Sequence, residues 1–189
     1  MQSKLIVSLL SAALAAAAFA APEKLVLEPT HTKPTFEVNH LGFSTTRGFF
    51  KDTSGTLELD RAAKTGKLEA SIKAASIVTG VDKLDDHLKS KDFFNVAEFP
   101  AVTVKADKFT FDGDKPTKAE GSLTLLGVTK PVVLNIAFNK CDTRFTDQKF
   151  VCGAEVTTTI KRSEWGMKTY VPAVGDDIKI AVQVEAYRP

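Results

Sequence analysis

The chain has 189 residues, of which 43% are hydrophobic and 25% are charged, and its formal net charge at pH 7 is +2. A chain of this length and composition is expected to bury a sizeable core within one domain. Lys and Arg are interspersed with Asp and Glu and form no basic tract, which argues against nucleic acid as a partner.

The first twenty residues have the pattern of a secretory signal peptide. Lys4 precedes an apolar stretch at 5–14, and Ala18-Phe19-Ala20 fits the small-x-small cleavage rule. A retained transmembrane helix is the weaker alternative, because the apolar run is short and ends in alanines. We predict a signal peptide over 1–20, a mature domain over 21–189 and export to the periplasm.

Short stretches with alternating apolar residues follow one another along the mature chain, as expected for half-buried β-strands. In the first of them, Phe36, Val38 and His40 share one face. The other alternating sets are Leu57 and Leu59; Leu68, Ala70, Ile72 and Ala74; Val102, Val104 and Ala106; Phe109 and Phe111; Leu123 and Leu125; Val132, Leu134, Ile136 and Phe138; Val156, Thr158 and Ile160; and Ile178, Ile180, Val182, Val184 and Ala186. About eight or nine strands without βαβ alternation predict an all-β, antiparallel sandwich or barrel.

Changes of parity predict irregularities within these strands. Ala106 and Phe109 have opposite parity, so we expect a β-bulge near Asp107-Lys108. If Cys141 paired directly with Cys152 and the pairing continued without a break, Ile136 would lie opposite Thr157. The inward-facing residues of the second strand are instead expected to be Val156 and Ile160, so the register must shift by one residue. A second bulge is therefore predicted near Gly153. Gly48 and Gly55 are predicted as bend or bulge positions.

One stretch, Asp82–Pro100, does not have the pattern of a strand. Its charged first half predicts about two turns of helix, with acidic residues early and lysines late, as the helix dipole favours. Its second half concentrates Phe93, Phe94, Val96 and Phe99 before the closing proline. We predict a short helical insert near 82–98 that acts as a lid or plug on the β-structure.

The two cysteines, Cys141 and Cys152, are separated by ten polar-rich residues, DTRFTDQKFV. In an exported protein the default expectation is a structural disulfide. A redox-active pair is the weaker alternative, because catalytic cysteines usually lie two residues apart at the start of a helix.

Residue types that carry catalysis or bind metals are sparse. The histidines are His31, His40 and His87, and the adjacent residues of Asp85-Asp86-His87 would not face one metal on a helix. There is no G-x-S-x-G motif and no Gly-rich nucleotide loop. We predict no metal, no cofactor and no catalytic residue. His40 is interpreted as a core or rim histidine, or as a polar contact to a ligand head group.

Phenylalanine dominates the aromatic residues, with 13 Phe against two Tyr and one Trp. Many of these Phe residues lie near strand ends or in the insert. Both a Phe-rich filled core and a deep apolar pocket lined by Phe are consistent with this distribution.

Five blocks in a fixed order resemble the YceI family of bacterial exported proteins. They are FEVNHLGF (36–43), GFF…SGTLELD (48–60), DDHLKSKDFFNV…FP (85–100), GSLTLLGVTKPVVL (121–134) and RSEWGM (162–167). The resemblance implies a lipocalin-like antiparallel β-barrel of about eight strands that holds a long amphiphile, typically a polyisoprenoid, in its interior. It also implies no established catalysis and a periplasmic location.

From this resemblance together with strand parity, we predict a set of residues near the bound chain. They are Phe36, Val38, Phe43, Phe93, Phe94, Phe99 and Trp165, with His40 and Arg162 at the mouth. For each Phe, plain core packing is the alternative, and for Trp165 it is a structural plug over one end of the barrel.

The sequence thus predicts an exported binding protein that holds a long amphiphilic lipid, a polyisoprenoid or isoprenoid quinone, for carriage, storage or sequestration. Transient membrane contact is a further expectation, and the pattern gives no oligomeric state. One alternative is an enzyme that modifies such a lipid, with His40 or His87 as base. The other is a stress-related interaction protein whose barrel packs shut.

Overall fold

The structure, a computed structural model, describes residues 22–189, so the predicted signal peptide lies outside the described residues. The elements in chain order are β1 (Glu23–Leu27), β2 (Lys33–His40), β3 (Ser44–Phe50), β4 (Thr53–Asp60), β5 (Thr65–Lys73), a 3₁₀ turn (Ala74–Ser76), β6 (Ile77–Val78), α1 (Asp82–Lys89), β7 (Ala101–Asp112), β8 (Lys115–Leu125), β9 (Val128–Thr143), β10 (Phe150–Lys161), a second 3₁₀ turn (Arg162–Trp165) and β11 (Val174–Tyr187).

Six of the strands combine into three long, interrupted ones. The first consists of β1 and β2, which both pair with β11. The second consists of β3, which pairs with β2, and β4, which pairs with β1. The third consists of β5, which pairs with β4, and β6, which pairs with β3. With β7 to β11 they form eight strands in up-and-down antiparallel order, and the pairing of β11 with β1 and β2 closes the sheet. The predicted antiparallel barrel is confirmed. The sandwich alternative is wrong, because the strands form one sheet that closes on itself instead of two separate packed sheets.

Buried hydroxyl groups bridge the backbone at the strand interruptions. Thr32, between β1 and β2, donates to the Glu185 carbonyl at 3.0 Å and accepts from its N–H at 3.3 Å. Ser76 accepts from the N–H of Asp52 at 3.1 Å and donates to the Lys73 carbonyl at 2.7 Å. These contacts satisfy backbone groups that the ladder leaves unpaired.

The prediction that Gly48 and Gly55 are bends is wrong. Gly48 pairs regularly with Phe36, and Gly55 with Ala70, while the break between β3 and β4 lies at residues 51–52. Both positions require glycine for space. A Cβ at Gly48 would meet the ring of Phe36, and one at Gly55 would meet the backbone of the neighbouring strand.

Both bulges predicted from parity are confirmed. The register between β7 and β8 shifts between Ala106 and Lys108. Between β9 and β10, Cys152 pairs with Cys141 but Val156 pairs with Ile136, and the shift falls between Gly153 and Ala154. In each case the bulge keeps the apolar residues on both sides of it facing the same interior.

Connections between antiparallel strands alternate between the two ends of the barrel. We call one end the lid end; it carries the connections 41–43, 79–100, 126–127 and 162–173. We call the other the disulfide end; it carries the connections 61–64, 113–114 and 144–149. The predicted Cys141–Cys152 bridge is present, and it joins β9 to β10 near this second end.

The predicted helical insert is confirmed as α1 and lies at the lid end. The buried Asp85 carboxylate accepts hydrogen bonds from the N–H and the hydroxyl of Thr79, at 2.7 and 2.6 Å. This contact ties the start of the helix to the end of β6. Within residues 22–189, no helix has the length and apolar character needed to span a membrane.

Candidate binding cavity

The interior of the barrel contains a cavity of about 440 Å³. Alternate residues of the strands line it, as the period of two dictates. For example, β9 contributes Val132, Leu134, Ile136 and Phe138, and β11 contributes Val174, Ile178, Ile180, Val182, Val184 and Ala186. The inward faces predicted from alternation are therefore largely the walls of this cavity.

The walls are hydrocarbon. Among the residues of 22–189 that line the cavity, none is Lys, Asp or Glu. The lining includes Arg162, the two histidines His40 and His87, Tyr170 and the disulfide-bonded Cys152. An unpaired charge in such surroundings would carry a large desolvation cost. The cavity is thus suited to apolar groups along most of its wall.

The positive charge of Arg162 is already occupied by the protein. Its guanidinium donates four hydrogen bonds of 2.9 to 3.1 Å to backbone carbonyls; the acceptors are Gly175, Met167, Thr169 and Val174. The residue is 3% exposed, and burial lowers its pKa. Arg162 therefore holds the 162–175 connection together, and four of the five N–H groups of its guanidinium are used in these contacts.

The lid brings one face of α1 and the following turn over the cavity. Leu84, His87 and Leu88 line the cavity, and their i, i+3, i+4 spacing places them on one face of the helix. The turn that follows adds Phe93 and Phe94. The backbone N–H of Phe94 donates a hydrogen bond to the Leu88 carbonyl at 3.0 Å, which holds this turn against the helix.

Two aromatic groups meet under the lid. Phe94 packs edge-on against Phe50 with ring centroids 5.5 Å apart, and Phe50 lies 6.2 Å from Phe36. On the other side, His87 lies 5.0 Å from Phe93 and 6.1 Å from Tyr170. The first group links the lid to strands β2 and β3 of the barrel wall, whereas the second links the lid to the 162–173 connection.

The mouth of the cavity is at the lid end. His40 is exposed at the end of β2 and lines the cavity, as do His87 and Tyr170. Toward the other end the interior narrows to a buried cluster of Leu25, Leu27, Cys152 and Ala186. Polar groups that could meet a ligand head group are therefore concentrated at one end.

Six of the nine predicted site residues line the cavity: Phe36, Val38, His40, Phe93, Phe94 and Arg162. Whether any of them contacts a ligand stays a prediction. In addition to lining the cavity, Arg162 clamps the backbone of the 162–175 connection through four hydrogen bonds to carbonyls.

The other three predicted residues lie elsewhere. Phe43 is 91% exposed at the tip of the β2–β3 turn, where strand parity no longer applies. Phe99 covers Gly127 of the β8–β9 turn. Trp165 is 2% exposed, packs in the core and donates its indole N–H to the Leu123 carbonyl at 3.1 Å, which makes it part of the scaffold.

Sequence reasoning missed Phe50, Leu88 and Tyr170 as lining residues, and considered His87 only as a base or metal ligand. The spacing of Leu84, His87 and Leu88 on one helix face was an available signal. Tyr170 had none, because it lies in an irregular connection. Among the described residues, one group of potential metal ligands has its ligand atoms close together: Glu23, Cys141 and Cys152. Both of its sulfurs are in the disulfide.

The family model of the YceI-like domain matches residues 25–186. The chain belongs to the YceI-like domain family. The resemblance seen in the sequence is thereby confirmed. All residues that line the cavity fall inside the matched range.

Individual YceI-like proteins agree with this assignment. A UPF0312 protein of Pseudomonas savastanoi pv. phaseolicola is 35% identical over 162 residues, covering 85% of this chain and 82% of the relative. The crystal structure of a Campylobacter jejuni YCEI protein is similar with a TM-score of 0.71 and 32% identity, covering 80% of this chain and 90% of that one.

A more distant structure shares the fold. It is described as a polyisoprenoid binding domain from Saccharophagus degradans, and it matches with a TM-score of 0.61 at 14% identity, covering 89% of this chain and 99% of its own. At this identity the likeness concerns the barrel alone.

Proposed function

We propose that this YceI-like protein is an exported binding protein that holds the hydrocarbon part of a long amphiphile, of the polyisoprenoid or isoprenoid quinone class, inside its barrel. The observation that carries the proposal is the cavity of about 440 Å³ whose walls lack Lys, Asp and Glu among the described residues. The ligand in the description of the Saccharophagus degradans domain supports the same ligand class.

Burial of hydrocarbon would supply the affinity. About ten buried methylene groups contribute roughly 8 kcal/mol at ~0.8 kcal/mol each, which corresponds to a Kd near the micromolar range. The costs of association reduce this figure. Partial burial of a long chain is therefore sufficient, and the head group stays at the lid end beside His40, His87 and Tyr170.

The wall chemistry favours an uncharged head group, or a charged one that remains in water. A carboxylate or phosphate drawn inside would find Arg162 as the only Lys or Arg among the described lining residues, and four of the five N–H groups of its guanidinium are already bound to carbonyls. Burying such a group unpaired costs several kcal/mol. We expect a neutral isoprenoid to bind more tightly than a fatty acid of equal chain length.

We further propose that the protein binds its ligand without converting it. His40 and His87 line the lid end of the cavity, where the head group would lie. The ring nitrogen Nε2 of His87 is 3.9 Å from an Asp92 carboxylate oxygen, and the ring packs on Phe93. This arrangement suits a lid contact better than proton transfer to a buried chain.

The decisive experiment is organic extraction of the purified mature protein followed by mass spectrometry. A stoichiometric isoprenoid-type lipid, recovered unchanged after incubation, is the expected result. Recovery of a converted lipid would instead indicate an enzyme, and repeated absence of lipid together with no binding on titration would indicate a closed barrel.

Export is tested separately. Osmotic-shock fractionation of the native host should release the protein with the periplasmic fraction, and its intact mass should correspond to a chain that begins at Ala21. A full-length chain found in the cytosol would contradict this part of the proposal. The disulfide at Cys141–Cys152 supports an oxidising compartment.

A further inference from the structure

Exposed apolar side chains are unevenly distributed over the barrel. Within residues 22–189, seven large hydrophobic residues are exposed, and five of them lie at the lid end, four in connections and one, Val128, at the start of β9. These five, which we call the apolar ring, are Leu41, Phe43, Val81, Val128 and Tyr170. The remaining two are Val133, within β9, and Phe145, at the disulfide end.

Part of the apolar ring forms a continuous lip beside the mouth. The N–H of Leu41 donates to the Ala173 carbonyl at 3.1 Å, which joins the β2–β3 turn to the 162–173 connection. Pro172 and Ala173 are also exposed, and Phe43 is 91% exposed, so no part of the described chain covers it. Two residues connect this lip with the cavity, because they line it: His40, which precedes Leu41 in the sequence, and Tyr170, which belongs to the ring.

Unpaired cations accompany the ring. Lys83, Lys130 and Lys168 each lie two residues from Val81, Val128 and Tyr170, respectively, and Lys91 follows α1. None of these four lysines has a carboxylate within ion-pair distance among the described residues. The carboxylates left without an ion pair on the same connections are also four, so the charges balance: Asp82, Glu98, whose oxygen binds Asn95, Glu164, and the buried Asp85, which binds Thr79.

We propose that the apolar ring docks the protein on a lipid bilayer, with the mouth of the cavity against the membrane. The ring comes from three connections and the first residue of β9 around one end of the barrel, which fits a planar surface better than a groove or peptide. Protruding Phe, Leu and Tyr enter the interfacial layer. The inference rests on the proposed function, because docking lets a hydrocarbon chain pass between bilayer and barrel without crossing water.

The test is flotation of the purified mature protein with vesicles of phosphatidylethanolamine and phosphatidylglycerol in equal amounts. The variant Leu41→Asn with Phe43→Ser is compared with wild type; Asn suits the positive φ of 56° at position 41. Loss of two exposed apolar groups should lower the partition coefficient at least about tenfold.

The matched control is Phe145→Ser, which removes an equally exposed Phe (87%) from the opposite end. It should leave the partition coefficient unchanged. If wild type does not float with vesicles, or if the two variants lose binding equally, the inference is overturned. It is also overturned if the lid-end variant changes only self-association in sedimentation velocity, because the ring would then contact a second copy.

Extraction and mass spectrometry on the same preparations keep the two proposals apart. Bound lipid with no difference in flotation between variants removes the docking inference alone. Flotation that depends on Phe43, with no lipid recovered and none bound on titration, leaves the surface intact and removes the proposed function.

Discussion

The two ends of the barrel are built from different side chains. At the disulfide end, the 144–149 loop is held by Arg144, which contacts Asp147 at 2.7 Å and Glu185 at 3.0 Å, and the disulfide joins the strands above it. At the lid end, long connections leave apolar tips and two histidines around the mouth. The disulfide end is fastened by covalent and ionic contacts, whereas the lid end is held by aromatic packing and by the hydrogen bonds of Arg162 and Asp85.

The backbone ladder differs between the ends in the same sense. β1 and β4 pair over four successive residues toward the disulfide end, while β3 meets β6 only at Phe49 and Phe50. At the lid end the packing of Phe94 on Phe50 takes over where strand pairing stops. We interpret this division as a firm base with an adaptable mouth, since regions with fewer ladder bonds open at lower cost.

The strongest test of this comparison is Arg162→Met, because one side chain holds most of the 162–175 connection. The variant leaves four carbonyl acceptors without their donors, and we expect a loss of about 3–5 kcal/mol in the free energy of unfolding. Urea denaturation measures it. Arg47→Met, which removes an exposed partner of Glu37 on the outer surface, should cost less than about 1 kcal/mol. Similar losses in both variants would contradict the clamp.

The next largest effect is expected from the double variant Cys141→Ala with Cys152→Ala. In the chain-entropy model a bridge across a sequence separation of 11 contributes about 3 kcal/mol. Because the bridge lies at the firm end, stability should fall while lipid retention persists at temperatures well below the new Tm. Wild type under reducing conditions is the control. A folded double variant that has lost its lipid would show that the two ends are coupled.

Phe94→Ala tests whether the lid contacts the ligand. Phe94 is half-buried, so its loss should cost about 2 kcal/mol of stability, and retention of the lipid should fall about tenfold. Phe99→Ala is the matched control, since Phe99 is half-buried in the same insert but covers Gly127 instead of the cavity. Titration with a soluble isoprenoid measures both variants. Equal retention would mean that Phe94 is only part of the core.

Much of the barrel was predictable because strand parity is a strict constraint. The opposite parity of Ala106 and Phe109 required a bulge, and the structure places the register shift there. The same reasoning located the shift beside Gly153. In both cases a one-residue error would have turned apolar side chains to solvent, so the pattern itself carried the information.

The candidate site was less predictable where the chain leaves the strands. Phe43 has the opposite parity to Phe36, Val38 and His40, and the turn before it takes positive φ angles at Leu41 and Gly42; its side chain is exposed to solvent. The destination of Trp165 depends on a carbonyl of Leu123, which is distant in sequence. Arg162 looked like a ligand contact because nothing local shows that four carbonyls surround it.

The smallest expected effect concerns pH at the disulfide end. The hydrogen bond from Arg144 lowers the pKa of Asp147 from 3.8 to about 2. A lowered pKa in the folded state means that the contact stabilises the fold fully above pH 3.8 and is lost as the pH falls toward 2. The Tm of wild type should therefore exceed that of Asp147→Asn slightly at neutral pH, and the difference should vanish below pH 2. Because Asp147 is solvent-screened, the difference is modest. A Tm difference between wild type and Asp147→Asn that persists unchanged below pH 2 would exclude the ion pair as the fastening of this loop.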